Sequence, residues 1–131
     1  MMLAGLALMS EASQEELDAL VAGLGLDALT GAVSLERRSI NQVAGWGCRI
    51  NLPHEHAHRN MRTIAGIIEK SAMDPRAASL ALKAFSLLAD AEGAVHGLPP
   101  EEVVFHEVGA LDSILDICLV CSLFARLAPA R

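Results

Sequence analysis

A chain of 131 residues in which 53% are hydrophobic, 20% charged and 10 are glycine carries enough apolar side chain to offset the entropy of ordering, which excludes a disordered chain and fits one domain. Aromatics supply only 3% and tyrosine none, so the core must be built from Leu, Ile, Val, Ala and Met. The balance of 10 basic against 16 acidic residues, a net −6, argues against a surface that binds nucleic acid by neutralising phosphates.

So apolar and short a chain is expected to bury part of its surface against a copy of itself or against another part of a longer protein. Residues 1–9 (MMLAGLALM) have no basic flank and no A-x-A-like site after them, so they do not read as a signal peptide. The longest apolar stretch, 117–125, falls far short of the roughly 18 residues of a membrane span. Three cysteines, an odd number, without a secretion signal disfavour a disulfide framework, and a cytoplasmic location is expected.

In chain order, residues 1–9 predict a short helix buried on most sides. Ser13-Gln14-Glu15-Glu16 fits a capping box, in which hydroxyl and carboxylate satisfy each other's orphan backbone N–H groups. Leu17, Leu20, Val21 and Leu24 follow at i, i+3, i+4, i+7, so an amphipathic helix is predicted from 13 to about 22, ended by Gly23 and Gly25. Val33 and Leu35, then Ile40, Val43, Cys48 and Ile50, are spaced as two strands. A β-hairpin over 32–50 is predicted, with Asn41 and Gly45-Trp46-Gly47 between or within the strands. Residues 52–60 (LPHEHAHRN) read as a loop.

The remainder reads as helical. Met61, Ile64, Ala65 and Ile68 form one stripe, and Asp74-Pro75 is a cap followed by proline at the first helical position. Leu80, Ala84, Leu87, Leu88, Ala91 and Val95 keep the period for five turns until Gly97. Pro99-Pro100-Glu101-Glu102 makes a turn or a short helical start. The last helix, about 111–127, is apolar nearly all round over 114–124, as a helix central to a core or packed on a partner would be. The expected fold is α+β, mostly α-helical with one small β-hairpin, in a single domain over 1–131.

Chemistry concentrates in two segments. His54, His56 and His58 alternate, which puts all three on one side of an extended segment. Neutral imidazole is the commonest protein ligand for borderline transition metals, the alternative being a solvated loop. Arg59 and Arg62 beside them could steer an anion such as a phosphate. Glu92 and His96 share a helix face at i, i+4. Further on, His106 and Glu107 precede Gly109 and a helix start, and Asp112 and Asp116 lie at i, i+4 on that helix with Ser113 beside them. Asp116 interrupts an apolar run, where an unpaired carboxylate is costly to bury, so a cation or a donor is expected to satisfy it. The alternative is a buried cap or an internal ion pair. Mixed imidazole and carboxylate ligands suit a borderline divalent metal better than calcium.

Other patterns fail their context. Gly23-Leu24-Gly25-Leu26-Asp27-Ala28 matches G-x-G-x-x-A but follows a helix, not a strand. Cys118 and Cys121 fall inside an apolar helix and read as core residues. Neither a phosphate-cradling loop nor a nucleophile motif occurs, so no catalytic residue is assigned.

Ala91-Glu92-Gly93-Ala94-Val95-His96-Gly97, followed by the block 103–117 (VVFHEVGALDSILDI), resembles the LarC family of nickel-insertion proteins. His54-Glu55-His56-Ala57-His58-Arg59 resembles that family's histidine-rich segment, and with the order of helices and hairpin the resemblance covers essentially all 131 residues. It implies insertion of nickel into a pyridinium bisthiocarboxylate mononucleotide, the small-molecule precursor of the lactate racemase nickel-pincer cofactor. The reaction is of the lyase or cyclometallase class and uses CTP with Mn or Mg. On residue type, His54, His56, His58, His96 and His106 are assigned to nickel handling, and Glu92, Glu107, Asp112 and Asp116 to orienting them or to holding an additional cation or the precursor. Family members are several times longer and open with a Gly/Ser/Asp-rich motif ending in Gly-Asp-Met, which would be finishing at Met1. The chain thus resembles an N-terminal portion, and activity is expected to need the C-terminal part that carries the CTP site, in the same protein or in a separate chain. The reading from another class is a non-catalytic metal-binding or oligomeric interaction module, in which the terminal apolar helix drives oligomerisation, Asp116 is paired internally and the histidines decorate the surface. A homo-oligomer, no nucleic acid and no membrane are expected in either case.

Overall fold

Side-chain caps set where the helices begin. In the computed structural model, which describes residues 2–53, 58–106 and 108–127, the Ser13 hydroxyl accepts from the Glu16 N–H at 3.2 Å. The Glu16 carboxylate accepts from the Ser13 N–H at 2.9 Å. This reciprocal box starts α2 (Gln14–Ala22), which follows α1 (Met2–Met9). Asn60 caps α3 (Met61–Lys70) by accepting from the Thr63 N–H at 2.9 Å. Asp74 caps α4 (Pro75–His96), accepting from the N–H groups of Arg76 at 2.9 Å and Ala77 at 3.3 Å, with proline first in the helix. Gly97, at φ +67, ends α4 in the left-handed conformation that glycine adopts without steric cost. The expected boundaries of these helices hold.

The hairpin holds as well. Strand β1 (Val33–Ile40) pairs antiparallel with β2 (Val43–Ile50) from Val33 opposite Ile50 out to Ile40 opposite Val43. Asn41 and Gln42 turn the chain with φ of 51° and 65°, the positive pair that a two-residue hairpin turn of matching twist requires. Gly45-Trp46-Gly47 lies inside β2. Gln14 of α2 fastens the base of the hairpin, its amide N–H donating to the Val33 carbonyl at 2.9 Å and its carbonyl accepting from the Leu35 N–H at 3.0 Å.

Residues 59–60, expected in a loop, instead form strand β3 (Arg59–Asn60), antiparallel to β4 (Val104–Phe105). Two residues are too few for alternation to show in sequence. A 3-10 helix (Pro100–Glu102) leads into β4, and α5 (Leu111–Leu127) closes the described chain. The fold is α+β and mostly helical, with this second, minimal ladder added to the hairpin.

Helix α5 is central. Ile114, Leu115, Cys118, Leu119 and Leu123 are buried, and the helix packs on α4, α1 and α2. One face is thus spent inside the fold, while Ile117, Val120 and Cys121 are only partly buried and Phe124 stays 42% exposed. Helix α1 buries only Leu3, Ala4 and Ala7 and leaves Met2, Leu8 and Met9 exposed, so it is covered on one face and not on most sides.

Helix α4 turns a different face inward from the one its large apolar residues suggested. Ala77, Ala81, Phe85, Ala89 and Gly93, at steps of four, are buried, whereas Leu87 is 60% exposed and Val95 80% exposed. The reason is close packing. Small side chains let the helix axis approach its neighbours, and the single large one, Phe85, meets Phe105 of β4 edge to face with ring centroids 6.1 Å apart. Gly93 is obligatory here: a Cβ would stand 2.7 Å from the Leu98 carbonyl oxygen, where the chain folds back over the end of the helix.

Candidate functional site

The short β3–β4 ladder builds the site. Arg59 stands opposite Phe105, so His58 and His106, each one position beyond its strand, fall opposite one another in the same register. Their rings meet with centroids 5.4 Å apart at an interplanar angle of 77°. On the other side of His106 stands His96, from the last turn of α4, at 6.0 Å and 64°. Three exposed imidazoles from three separate segments are thereby gathered around His106.

A side-chain bond and a close backbone approach hold this arrangement. The Arg59 guanidinium donates to the Gly109 carbonyl at 2.8 Å, which ties the ladder to the loop that enters α5. Gly109 itself lies across the ladder, where a Cβ would meet the Phe105 carbonyl oxygen at 2.9 Å and the Arg59 nitrogen at 3.1 Å. From sequence, Gly109 reads only as a helix start. Its importance as a close-approach position carries no sequence signal beyond its residue type, and the Asn60 cap escapes a sequence reading because no glutamate follows at the capping-box position.

The spacing suits a shared ion. Imidazole nitrogens on one borderline metal sit about 2.1 Å from it, which places ring centroids about 5 Å apart. Among the described residues no three His, Cys, Asp or Glu side chains already converge as a ligand set, so the exposed rings would have to turn inward to close on an ion. Behind His96, one helical turn earlier, Glu92 is half-buried and its Oε2 is shielded from solvent without a hydrogen-bond partner among the described residues. Such an acceptor is costly unless a donor or cation reaches it.

The other predicted carboxylates are elsewhere. Asp112, Ser113 and Asp116 of α5 line a cavity of about 390 Å³ with Leu3, Cys48 and Ile50, and no described histidine borders it. Asp112 accepts from the Ser113 N–H at 2.7 Å. Asp116 is half-buried at this cavity and makes no hydrogen bond or ion pair to a described residue. No described side chain supplies a donor to it, and its access to the cavity lowers the cost of leaving the carboxylate unpaired by the fold itself. Burial, and then the charge of Asp116, raise the Cys48 thiol above its usual range. Burial pushes Cys118 up to about 12 and also raises Cys121, so all three free thiols favour the protonated form, which is a poor metal ligand. Arg62 is exposed on the first turn of α3, and Arg59 is half-buried. His54, His56 and Glu107 lie outside the described residues.

Comparison with known proteins places the chain in a family. The model of the nickel insertion protein family matches residues 1–131. A protein of Akkermansia muciniphila named as a pyridinium-3,5-bisthiocarboxylic acid mononucleotide nickel insertion protein is 55% identical over 97 residues, covering 66% of this chain and 24% of that protein. Relatives named for nickel insertion in Citrifermentans bemidjiense and Syntrophobacter fumaroxidans are each 45% identical, over 100 and 105 residues. They cover 74% and 72% of this chain and 25% and 27% of their own length. The chain thus spans about a quarter of these relatives. No solved structure matches it, and no described helix is long and apolar enough to cross a membrane. With the family model matching from the first residue to the last, the chain belongs to the nickel insertion protein family.

Proposed function

We propose that this chain is the nickel-handling portion of an insertase that loads nickel into a pyridinium bisthiocarboxylate mononucleotide, the precursor of the lactate racemase cofactor. The observation that carries the reading is the grouping of His58, His96 and His106 from three segments, with ring centroids 5.4 and 6.0 Å apart. Nickel here is cargo. Imidazoles bind Ni²⁺ well enough to collect it yet surrender it to the softer thiocarboxylate sulfurs of the precursor, a ligand exchange that runs downhill in softness. His54 and His56 extend the same set, and Glu92, on the His96 face with an unpartnered oxygen, is placed to accept from an imidazole N–H once the rings turn inward on the ion. Asp112 and Asp116 at the separate cavity take an additional cation or the pyridinium ring, and Arg62 attracts the phosphate of the mononucleotide. The step that uses CTP with Mn or Mg, the lyase chemistry proper, belongs to the part of the longer relatives that this chain does not span, in one protein or as a second subunit. The setting is the cytoplasm, where free thiols stay reduced.

Calorimetric titration of the metal-free chain with Ni²⁺ tests this. We expect saturable binding that weakens at least about ten-fold in His106→Ala, in line with the loss of one ligand or its orienting partner, and that is abolished when His54, His56 and His58 are all replaced by alanine. Binding indifferent to both variants would sink the reading and leave the interaction module. Binding without any transfer to the precursor, even with the C-terminal part of a longer relative added, would favour a nickel store.

A further inference from the structure

Among the described residues, nothing lies beneath half of the β1–β2 hairpin. Every residue from Arg37 to Trp46 is exposed, with Ile40 and Val43 at the tip 70% and 73% exposed and Trp46 43% exposed. Only the base is fastened, through Gln14 and the core positions Val33, Leu35, Cys48 and Ile50. A two-stranded ribbon that no third strand or helix covers is marginal in water, and grouped apolar side chains on such a ribbon mark a contact surface.

Charge indicates what covers it. Arg37, Arg38 and Arg49 against Glu36 give the hairpin +2, so the remainder of a chain of net −6 carries −8. Glu36 is shared between Arg38 at 3.5 Å and Arg49 at 3.3 Å. Arg37 lies over the Trp46 ring at 5.4 Å, a cationic, flat surface on the free half of the ribbon. Glu11, Glu15 and Asp18, all exposed, flank or begin the helix α2 that fastens the hairpin's base. A basic, apolar-tipped ribbon and an acidic helix start thus sit side by side on one molecule. A two-fold axis can lay each ribbon on the other molecule's acidic helix, a reciprocal contact that closes.

We propose that residues 37–46 form a dimerisation arm whose partner is a second copy of this chain, received on its acidic body. The proposal is independent of the nickel reading. An anionic membrane would have to tolerate the −8 body, and that alternative is one outcome of the test.

Trp46 is the only tryptophan, and the chain has no tyrosine, so tryptophan emission comes wholly from the arm. Sedimentation velocity and fluorescence should be followed together from about 1 to about 200 µM, a range over which mass action populates a dimer of micromolar affinity. The expected result is a doubling of mass with a blue shift of Trp46 emission and reduced acrylamide quenching. High salt should weaken both. The paired substitution Ile40→Asp, Val43→Asp should abolish both with an unchanged circular dichroism spectrum, and Leu87→Asp, at another exposed apolar position, should leave both intact. A monomer throughout overturns the proposal, as does a dimer in which Trp46 emission is unchanged. So does a dimer that survives the tip substitutions, a blue-shifted monomer at the lowest concentration, or a shift that appears only with phosphatidylserine vesicles.

Discussion

The Arg59 guanidinium reaches the Gly109 carbonyl at 2.8 Å across 50 positions of sequence, and that bond locks the β3–β4 ladder on which His58 and His106 are brought face to edge. Arg59 is thereby a fastener of the site, whatever it contributes to attracting anions. Gly109 is the other half of the lock, because a Cβ there would collide with backbone at 2.9 and 3.1 Å. Gly109→Ala should therefore cost about 1–3 kcal/mol, the range for forced overpacking, and weaken nickel binding by displacing His106. Gly66→Ala is the matched control. It lies inside α3, and a Cβ there would have nothing within 4 Å, so the substitution should stabilise by about 0.5–1 kcal/mol through helix propensity alone. Urea unfolding of both variants checks the pair; equal and opposite changes in midpoint without any effect of Gly109→Ala on nickel would detach the lock from the site.

Glu92 presents a conflict between stability and function. Its Oε2 is shielded with no partner among the described residues, a state that costs free energy in the metal-free chain. Replacement by leucine, of similar helix propensity and comparable length, removes the orphan acceptor. Glu92→Leu should raise stability by about 1 kcal/mol while it weakens Ni²⁺ binding several-fold through the loss of His96 orientation. Loss of stability in Glu92→Leu, measured by thermal unfolding without metal, would mean that the carboxylate is already satisfied.

How far the sequence could be read differs between local and long-range features. Caps at Ser13 and Asp74 and the stop at Gly97 are chemistry within four residues, and each was legible; the hairpin was legible too, but not that its turn falls at Asn41 and Gln42 with Gly45-Trp46-Gly47 inside a strand. The face of α4 was not. Weighting large apolar residues selects Leu87 and Val95, but the buried face is set by how closely a neighbour can approach, which favours Ala77, Ala81, Ala89 and Gly93. The histidine site was half legible. The alternation of His54, His56 and His58 flagged the segment, while the meeting of His58 with His106 and His96 depends on a ladder of two residue pairs that leaves no periodic trace.

The inward face of α4 carries its own prediction. Ala81→Leu, a change at a fully buried position, should destabilise by about 1–3 kcal/mol because the packed face cannot expand. Leu87→Ala, on the exposed face, should stay within about 0.5 kcal/mol of the parent. Denaturant midpoints decide between the two faces, and a reversed ranking would restore the leucine stripe as the inner one.

The last expectation concerns acid. Glu16 closes the capping box of α2 and also accepts from Arg126 of α5 at 2.8 Å, joining the start of one helix to the end of another. The Ser13 backbone N–H, and then the Arg126 guanidinium, hold its carboxyl below the usual value of 4.5. A carboxyl whose folded value lies below its unfolded one stabilises fully above the unfolded value and loses that contribution as pH falls through the folded one. Glu16→Gln keeps the size and most of the hydrogen bonding but cannot titrate. Its unfolding midpoint should lie below the parent's at neutral pH, and the gap should close as pH falls below about 4.5. Urea denaturation across that interval reads the gap directly; a difference that persists undiminished in acid would mean that Glu16 acts through packing and not through its charge.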